Sequence, residues 1–244
     1  MDVLAVFIAA VVTALATGLG AAPLLLGRRI RDARVGLATA VAAGSMLGAS
    51  AGLFWTGGSE GLLRTVAGSL LGVGFIVATR WQVGHRGEVH FGTLRGADAI
   101  GALMIVGVMT VHSFTEGVGV GVAFGGGETL GVLITVAIAV HNVPEGLAIS
   151  LVLVPRGISV PRAAAWSVFS SLPQPLMALP AFLLVEWFGP VLPIGLGFAG
   201  GAMVWMVAAQ LLPEARRTTS TGRVAAATIG AAGLMVALQL AFLG

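Results

Sequence analysis

Cysteine and lysine are absent from this sequence, and charged residues of any kind make up only 9% of it. Without cysteine the chain has no disulfide, no thiolate metal ligand and no thiol redox chemistry. A water-soluble domain carries roughly 25% charged residues, because its surface must be wetted. A chain of 244 residues with so few charges could not cover a globule of its size. The composition therefore predicts a protein whose solvent is largely lipid.

A clustered basic surface is also missing, although the pI is about 11.3. The thirteen basic residues are all arginines, and they lie in short loops between apolar runs. Nucleic-acid binding needs a basic face with polar and aromatic readers, so this class of function is excluded. A cleavable signal peptide is not expected either. Residues 1–27 begin with Asp2, have no basic leading segment, and contain an apolar run too long for a signal core.

Apolar residues make up 57% of the chain, and 37 residues are glycine. Membrane-spanning helices need about 20 apolar residues each, and small residues such as Gly68 and Gly72 let such helices approach closely. We predict an all-α polytopic membrane protein, one transmembrane domain over residues 1–244. The eight predicted helices are 3–26, 35–55, 61–83, 98–123, 129–154, 161–186, 190–213 and 223–243.

The arginines predict the orientation of this bundle. Twelve of the thirteen fall in loops on one side of the eight helices, and only Arg64 falls on the other. Arginine-bearing loops stay cytoplasmic, so both termini are expected outside the cytoplasm. We expect a multi-pass protein of the cytoplasmic membrane of a prokaryote. The lipid bilayer and a second copy of the chain in a homodimer are expected partners.

Four ionisable residues fall near the middle of predicted helices: His112 and Glu116 in the fourth, His141 and Glu145 in the fifth. Such groups cost roughly 2.5–3.5 kcal/mol each on insertion and are functional candidates by default. Each histidine precedes its glutamate by four residues, which places both side chains on one helix face. The two helices run antiparallel, so both pairs are expected at similar depth.

Two imidazoles and two carboxylates suit Zn²⁺ and other borderline divalent metals. The carboxylates would also neutralise the charge of the ion in a low-dielectric interior. Pro144 removes a backbone donor next to the site and frees the carbonyl of Val140. The alternative is that each His–Glu pair is a structural hydrogen bond between helices, but two pairs with identical spacing at matching depth favour a metal site.

These segments resemble the paired signature of ZIP metal transporters. The signature residues are His112-Ser113-xx-Glu116-Gly117 and residues 141–146, His-Asn-Val-Pro-Glu-Gly. Weaker similarities extend to residues 16–21, 44–47 and 212–214. The resemblance implies eight helices in a 3+2+3 bundle with inverted repeats. It further implies transport of Zn²⁺, Fe²⁺, Mn²⁺ or Cd²⁺ toward the cytoplasm by alternating access, with elevator-like motion. The metal is then a transported substrate, and no cofactor is expected.

The resemblance implies site residues as well. His112, Glu116, His141 and Glu145 match the primary site of the family, and Met46 matches a thioether that can join it. Ser113 and Asn142 match residues that contribute to a second metal position in some members. Gln174 stands where members with two metals place a glutamate. We therefore expect one strong site and at most a weak second one.

Other polar residues have simpler interpretations. His85 and His90 are interpreted as solvated loop residues, although relatives often carry a metal-binding cluster in this loop. Asp98 is expected to be stabilised by the start of the fourth helix. Gln210 and Glu214 lie four residues apart near the end of the seventh helix, and Glu214 is predicted to pair with Arg216 or Arg217.

Two rival classes stay open: an intramembrane metalloenzyme and a structural membrane protein. The zinc-protease pattern His-Glu-x-x-His is absent, and no separate general base is evident beyond the four candidate ligands. No Walker-type Gly-xxxx-Gly-Lys-Ser/Thr segment occurs, so direct coupling to ATP is unsupported. A structural role would explain the glycines but not the duplicated pairs. The prediction is a transporter and not an enzyme.

Overall fold

The helices of this protein follow its apolar runs, because a backbone in lipid must satisfy its hydrogen bonds internally. The computed structural model describes residues 2–25, 32–84 and 96–243, and within these ranges the chain is helical with no strand. The α-helices are α1 Val3–Leu19, α2 Ala22–Leu25, α3 Asp32–Gly84, α4 Gly96–Gly125, α5 Glu128–Leu153, α6 Val160–Ser170, α7 Pro173–Trp187, α8 Leu192–Met206, α9 Leu212–Thr218 and α10 Thr221–Leu243.

Five of the eight predicted spans are divided, merged or interrupted in the structure. The first, 3–26, is divided into α1 and α2. Helix α3 covers the second and third predicted helices in one run, which is interrupted where Gly61 takes a non-helical conformation. The sixth predicted helix is divided into α6 and α7, and α7 begins at Pro173. Proline has no backbone N–H and is favoured in the first turn of a helix, and Pro173 takes this position in α7. The seventh contains a π-helical segment, Val207–Leu211, between α8 and α9.

Six helical segments of the described residues are long and apolar enough to cross a membrane. One of them, Ala33–Ala78, is 46 residues long, more than twice what one crossing needs. Helix α4 has 30 residues but is not among these six segments. The structure does not describe several of its side chains. The all-helical class is confirmed, whereas the count of eight crossings stays a prediction.

Glycines set the closest helix contacts. A methyl group at Gly117 in α4 would lie 2.5 Å from the carbonyl oxygen of Gln174 in α7, and one at Gly146 in α5 would overlap the backbone of Thr17 in α1. Only glycine permits such approaches. Helices α1, α4, α5 and α7 are thereby drawn together, and α3 packs mainly against α8 and α10 on the other side.

Candidate metal centre

The four ionisable residues predicted at mid-helix come together in the structure. One ligand atom from each of His112, Glu116, His141 and Glu145 can be chosen so that all four lie within 4.8 Å of one another. All four side chains are buried, and the most exposed of them, Glu145, has a relative exposure of 6%. Donors that bind one zinc ion at about 2.0–2.2 Å lie within about 4.4 Å of each other. Only small side-chain movements separate this cluster from a zinc-binding geometry.

Helices α4 and α5 position this cluster. Each contributes one residue pair with a spacing of four, so that its imidazole and carboxylate project from the same helix face. Pro144 lies inside α5, directly before Glu145, and its ring lines the cavity beside the cluster. The interior of the bundle therefore receives two imidazoles and two carboxylates from two neighbouring helices.

Glu116 is the hydrogen-bonding centre of the cluster. Its Oε1 lies 3.1 Å from Nε2 of His112 and also contacts Nε2 of His141. Its Oε2 accepts a hydrogen bond of 2.5 Å from Nε2 of Gln174. Both carboxylate oxygens are therefore held by partners within the protein.

Both ring nitrogens of His141 lie close to an oxygen atom of the protein, Nε2 to Glu116 and Nδ1 to a backbone carbonyl. Nδ1 of His141 lies 3.1 Å from the carbonyl oxygen of Ala137. A neutral imidazole carries one N–H and can donate to only one of these two oxygens. A proton or a metal ion between Nε2 and Glu116 would make both contacts favourable.

Glu145 has a different environment. Its two oxygens are buried, and neither has a hydrogen-bond partner. A buried carboxylate without partners is costly, and a purely structural His–Glu pair does not account for it. The structural interpretation of the duplicated pairs therefore explains Glu116 and fails for Glu145.

A cavity of about 20 Å³ lies against the cluster and is lined by His112, His141 and Glu145. Met46, the predicted thioether candidate, lines the same cavity and is 1% exposed. This volume holds about one water-sized group. The described side chains thus enclose a small, mostly apolar space into which His112, His141 and Glu145 bring the polar atoms of both helix pairs.

A buried network connects the cluster to α1 and α7. The hydroxyl of Thr13 lies 2.6 Å from Oε1 of Gln174 and 2.7 Å from the carbonyl oxygen of Ala10, and its single proton is shared between these two acceptors. The amide of Asn142 donates to Oε1 of Gln174 over 3.2 Å and to the backbone carbonyl of Thr13 over 2.7 Å. Gln174 thus receives two hydrogen bonds at its oxygen and directs its nitrogen toward Glu116, which fixes the orientation of the amide.

The remaining predicted residues are distributed as follows. Ser113 is fully buried, and its hydroxyl has no hydrogen-bond partner. Glu214 pairs with Arg217 over 3.3 Å on the surface, as predicted. Gln210 lies in the π-helical segment. His85 and His90 lie outside the described residues, as does the side chain of Asp98.

Sequence reasoning did not identify three residues that lie around this centre. Met109 and Met206 line the cavity with Met46, and Thr13 orients Gln174. Met109 precedes His112 by three residues, a spacing that places both on one helix face and could have identified it. Thr13 and Met206 are distant in sequence from the signature, and no local pattern marks them.

A family model described as "Zip: ZIP Zinc transporter" matches residues 85–239. The zinc transporter GufA of Myxococcus xanthus is 34% identical over 228 residues, which cover 86% of this chain and 88% of that protein. The zinc transporter ZIPB of Bordetella bronchiseptica is 34% identical over 128 residues, 52% of this chain and 40% of ZIPB.

A plant protein, At3g08650 of Arabidopsis thaliana, is 45% identical over 232 residues. The match covers 94% of this chain but only 37% of the plant protein, so the chain corresponds to little more than a third of that relative. The matched relatives are thus both bacterial and eukaryotic, and the expected prokaryotic origin gains no support from them.

Proposed function

We propose that this chain, which belongs to the ZIP family of zinc transporters, carries a divalent transition-metal ion across a membrane through the cluster of His112, Glu116, His141 and Glu145. The chain is a multi-pass membrane protein with several apolar helices. The observation that carries the proposal is the buried, unpartnered carboxylate of Glu145 beside two imidazoles. A cation supplies the missing partner. Zn²⁺ is the preferred substrate, with Fe²⁺, Mn²⁺ and Cd²⁺ as alternatives, since imidazole and carboxylate ligands accept several divalent metals.

One strong site is proposed, formed by the two histidines and two glutamates, with Met46 as an additional ligand. Ser113, Asn142 and Gln174 would form at most a weak second position. The support for one ion is the amide of Gln174, which already donates to Oε2 of Glu116. A second dication at that oxygen would have to displace a neutral donor and would gain no further negative charge from it.

The proposed route follows from the packing of the helices. Residues of the polar network belong to α1, α4, α5 and α7, whereas Met46 and Met206 approach the cavity from α3 and α8. A cavity between two helix groups is compatible with alternating access by elevator-like motion of one group against the other. We further propose eight crossings in a 3+2+3 bundle with inverted repeats, termini outside, and transport toward the cytoplasm.

The proposal also includes one transmembrane domain, a homodimer and a location in the cytoplasmic membrane of a prokaryote. The main alternatives are an intramembrane metalloenzyme and a structural membrane protein. The names of the matched relatives GufA and ZIPB support a transporter and not an enzyme, and the metal is then the transported substrate rather than a resident cofactor.

The test is uptake of ⁶⁵Zn by proteoliposomes that contain the purified protein. His141→Ala and Glu145→Ala should each abolish uptake, because each removes one of four donors to the ion. Glu186→Ala serves as the matched control, since Glu186 is an exposed carboxylate at the end of α7, and this variant should transport like the wild type.

All three variants should insert and purify in normal yield. Wild-type uptake by both site variants would contradict the proposal and move the site elsewhere. Tight zinc binding without any uptake by the wild type would favour a metalloenzyme or a structural metal centre instead.

A further inference from the structure

The cavity beside the metal centre has a wall of thioethers that zinc chemistry does not require. Met46, Met109 and Met206 all line it, together with His112, His141 and Glu145. Each methionine is almost fully buried, with relative exposures of 1%, 2% and 1% respectively. They come from α3, α4 and α8. Three separate helices therefore direct a methionine toward one space of about 20 Å³.

Methionine often fills gaps in apolar cores, and Met46 and Met206 belong to the same main apolar cluster as Met203. Met203, one turn before Met206 on α8, is fully buried but does not line the cavity. The three cavity methionines instead share their space with two imidazoles and with the carboxylate of Glu145, whose oxygens have no hydrogen-bond partner. An unpaired buried carboxylate indicates a cation at this position.

The charge and softness of the donors select the kind of cation. Thioethers are neutral, polarisable ligands that favour Cu⁺ over hard or borderline divalent ions. The three thioethers add no charge, so the one carboxylate that they share the cavity with, Glu145, is enough to balance a monovalent ion.

We propose that Met46, Met109, Met206 and Glu145 form a binding site for a soft monovalent ion of the Cu⁺ and Ag⁺ class, adjacent to the zinc position. The inference rests on the proposed function in that both sites use one cavity and share Glu145. The two sites are mutually exclusive, because the cavity has room for about one ion. A soft monovalent ion is therefore an alternative substrate or an inhibitor of zinc transport.

The experiment measures Ag⁺ binding to the purified protein by isothermal titration calorimetry in chloride-free nitrate buffer, and Zn²⁺ binding under the same conditions. The test variant is Met109→Leu/Met206→Leu, which conserves side-chain volume and leaves all four zinc ligands and Met46 in place. Met203→Leu is the matched control on the same helix as Met206. The double variant should lose about tenfold or more in Ag⁺ affinity, because even indirect changes around a metal site cost about 10–100-fold.

Zn²⁺ affinity should be the same in the wild type and all variants, and Ag⁺ should displace Zn²⁺ from the wild type. The proposal is overturned if the wild type does not bind Ag⁺, or if the double variant binds it as tightly as the wild type. Equal loss in Met203→Leu, or equal loss of Ag⁺ and Zn²⁺ binding in the double variant, would also overturn it, because packing alone would then explain the effect. Uptake of ⁶⁵Zn by the wild type tests the proposed function separately, and its absence leaves the outcome for Ag⁺ binding unaffected.

Discussion

The two His-xxx-Glu-Gly segments have the same spacing, yet the structure places their glutamates in opposite environments. Glu116 in α4 contacts both imidazoles through one oxygen and the amide of Gln174 through the other. Glu145 in α5 is equally buried, but neither of its oxygens has a hydrogen-bond partner. One carboxylate is therefore anchored by the protein, and the other faces a cavity with its lone pairs available.

This difference shows that a duplicated motif does not imply duplicated roles. A site that must both bind and release an ion benefits from one carboxylate held in position and one free to rearrange. The anchored carboxylate lowers the reorganisation needed on binding, since donors positioned in advance lose less freedom. In the proposed site, the free carboxylate of Glu145 provides negative charge for the ion. Three experiments test the contrast between Glu116 and Glu145.

The largest effect is expected from alanine at the two glutamates in the metal-free protein. Glu116→Ala should lower stability by several kcal/mol, because it leaves three buried nitrogens without an acceptor at about 1–3 kcal/mol each. Glu145→Ala removes a buried carboxylate that has no partner, so stability should stay unchanged or increase. Thermal unfolding in detergent micelles without metal measures both, and each variant is the size-matched control of the other. Equal destabilisation would show that the two carboxylates are equivalent.

A second, smaller effect concerns the anchor of Glu116. Gln174→Glu replaces the amide donor by a carboxylate and brings a negative charge against Oε2 of Glu116. The metal-free protein should be less stable, and zinc binding should become about tenfold tighter or gain a second equivalent. Gln174→Met is the control, since it removes the donor without adding charge and should not raise the stoichiometry. Calorimetry that shows unchanged affinity and stoichiometry for Gln174→Glu would contradict the assignment of Gln174.

The smallest effect is expected at the far end of the same network. Thr13→Val keeps the shape of the side chain but removes the hydroxyl that donates to Gln174. The loss of one buried hydrogen bond should cost about 1 kcal/mol, and zinc affinity should fall by no more than about fivefold. Thr110→Val is the control, because the hydroxyl of Thr110 bonds only to the backbone of its own helix. Equal affinities in calorimetry for Thr13→Val and the wild type would show that Glu116 needs no support from α1.

Much of the fold could be predicted, because lipid restricts the chain to helices and long apolar runs mark them. The helix that carries Glu145 was predicted as 129–154 and lies at Glu128–Leu153. The break before Pro173 and the π-helical segment at Val207–Leu211 were not predicted. Pro173 marks the first of these locally, but a window of hydropathy averages it with its apolar neighbours, and hydropathy does not distinguish a π-helical segment from an α-helix.

The candidate site, like the fold, was predicted only in part. The four charged residues were identified because charge is rare at mid-helix and its spacing of four is visible in one dimension. Met206 and Thr13 were missed, since methionine and threonine are common in apolar helices. Their roles depend on which helix faces the cavity, and this is a property of the packing.

The sequence by itself determined the helical membrane class, the family resemblance and the four residues around which an ion would bind, because composition and local periodicity encode these directly. Only the tertiary structure decided that Glu116 is anchored while Glu145 is free, that Gln174 is held by Thr13 and Asn142, and that three methionines face one cavity. The physical reason is that hydrogen-bond partners and cavity walls come from helices far apart in sequence, and only close packing brings them together.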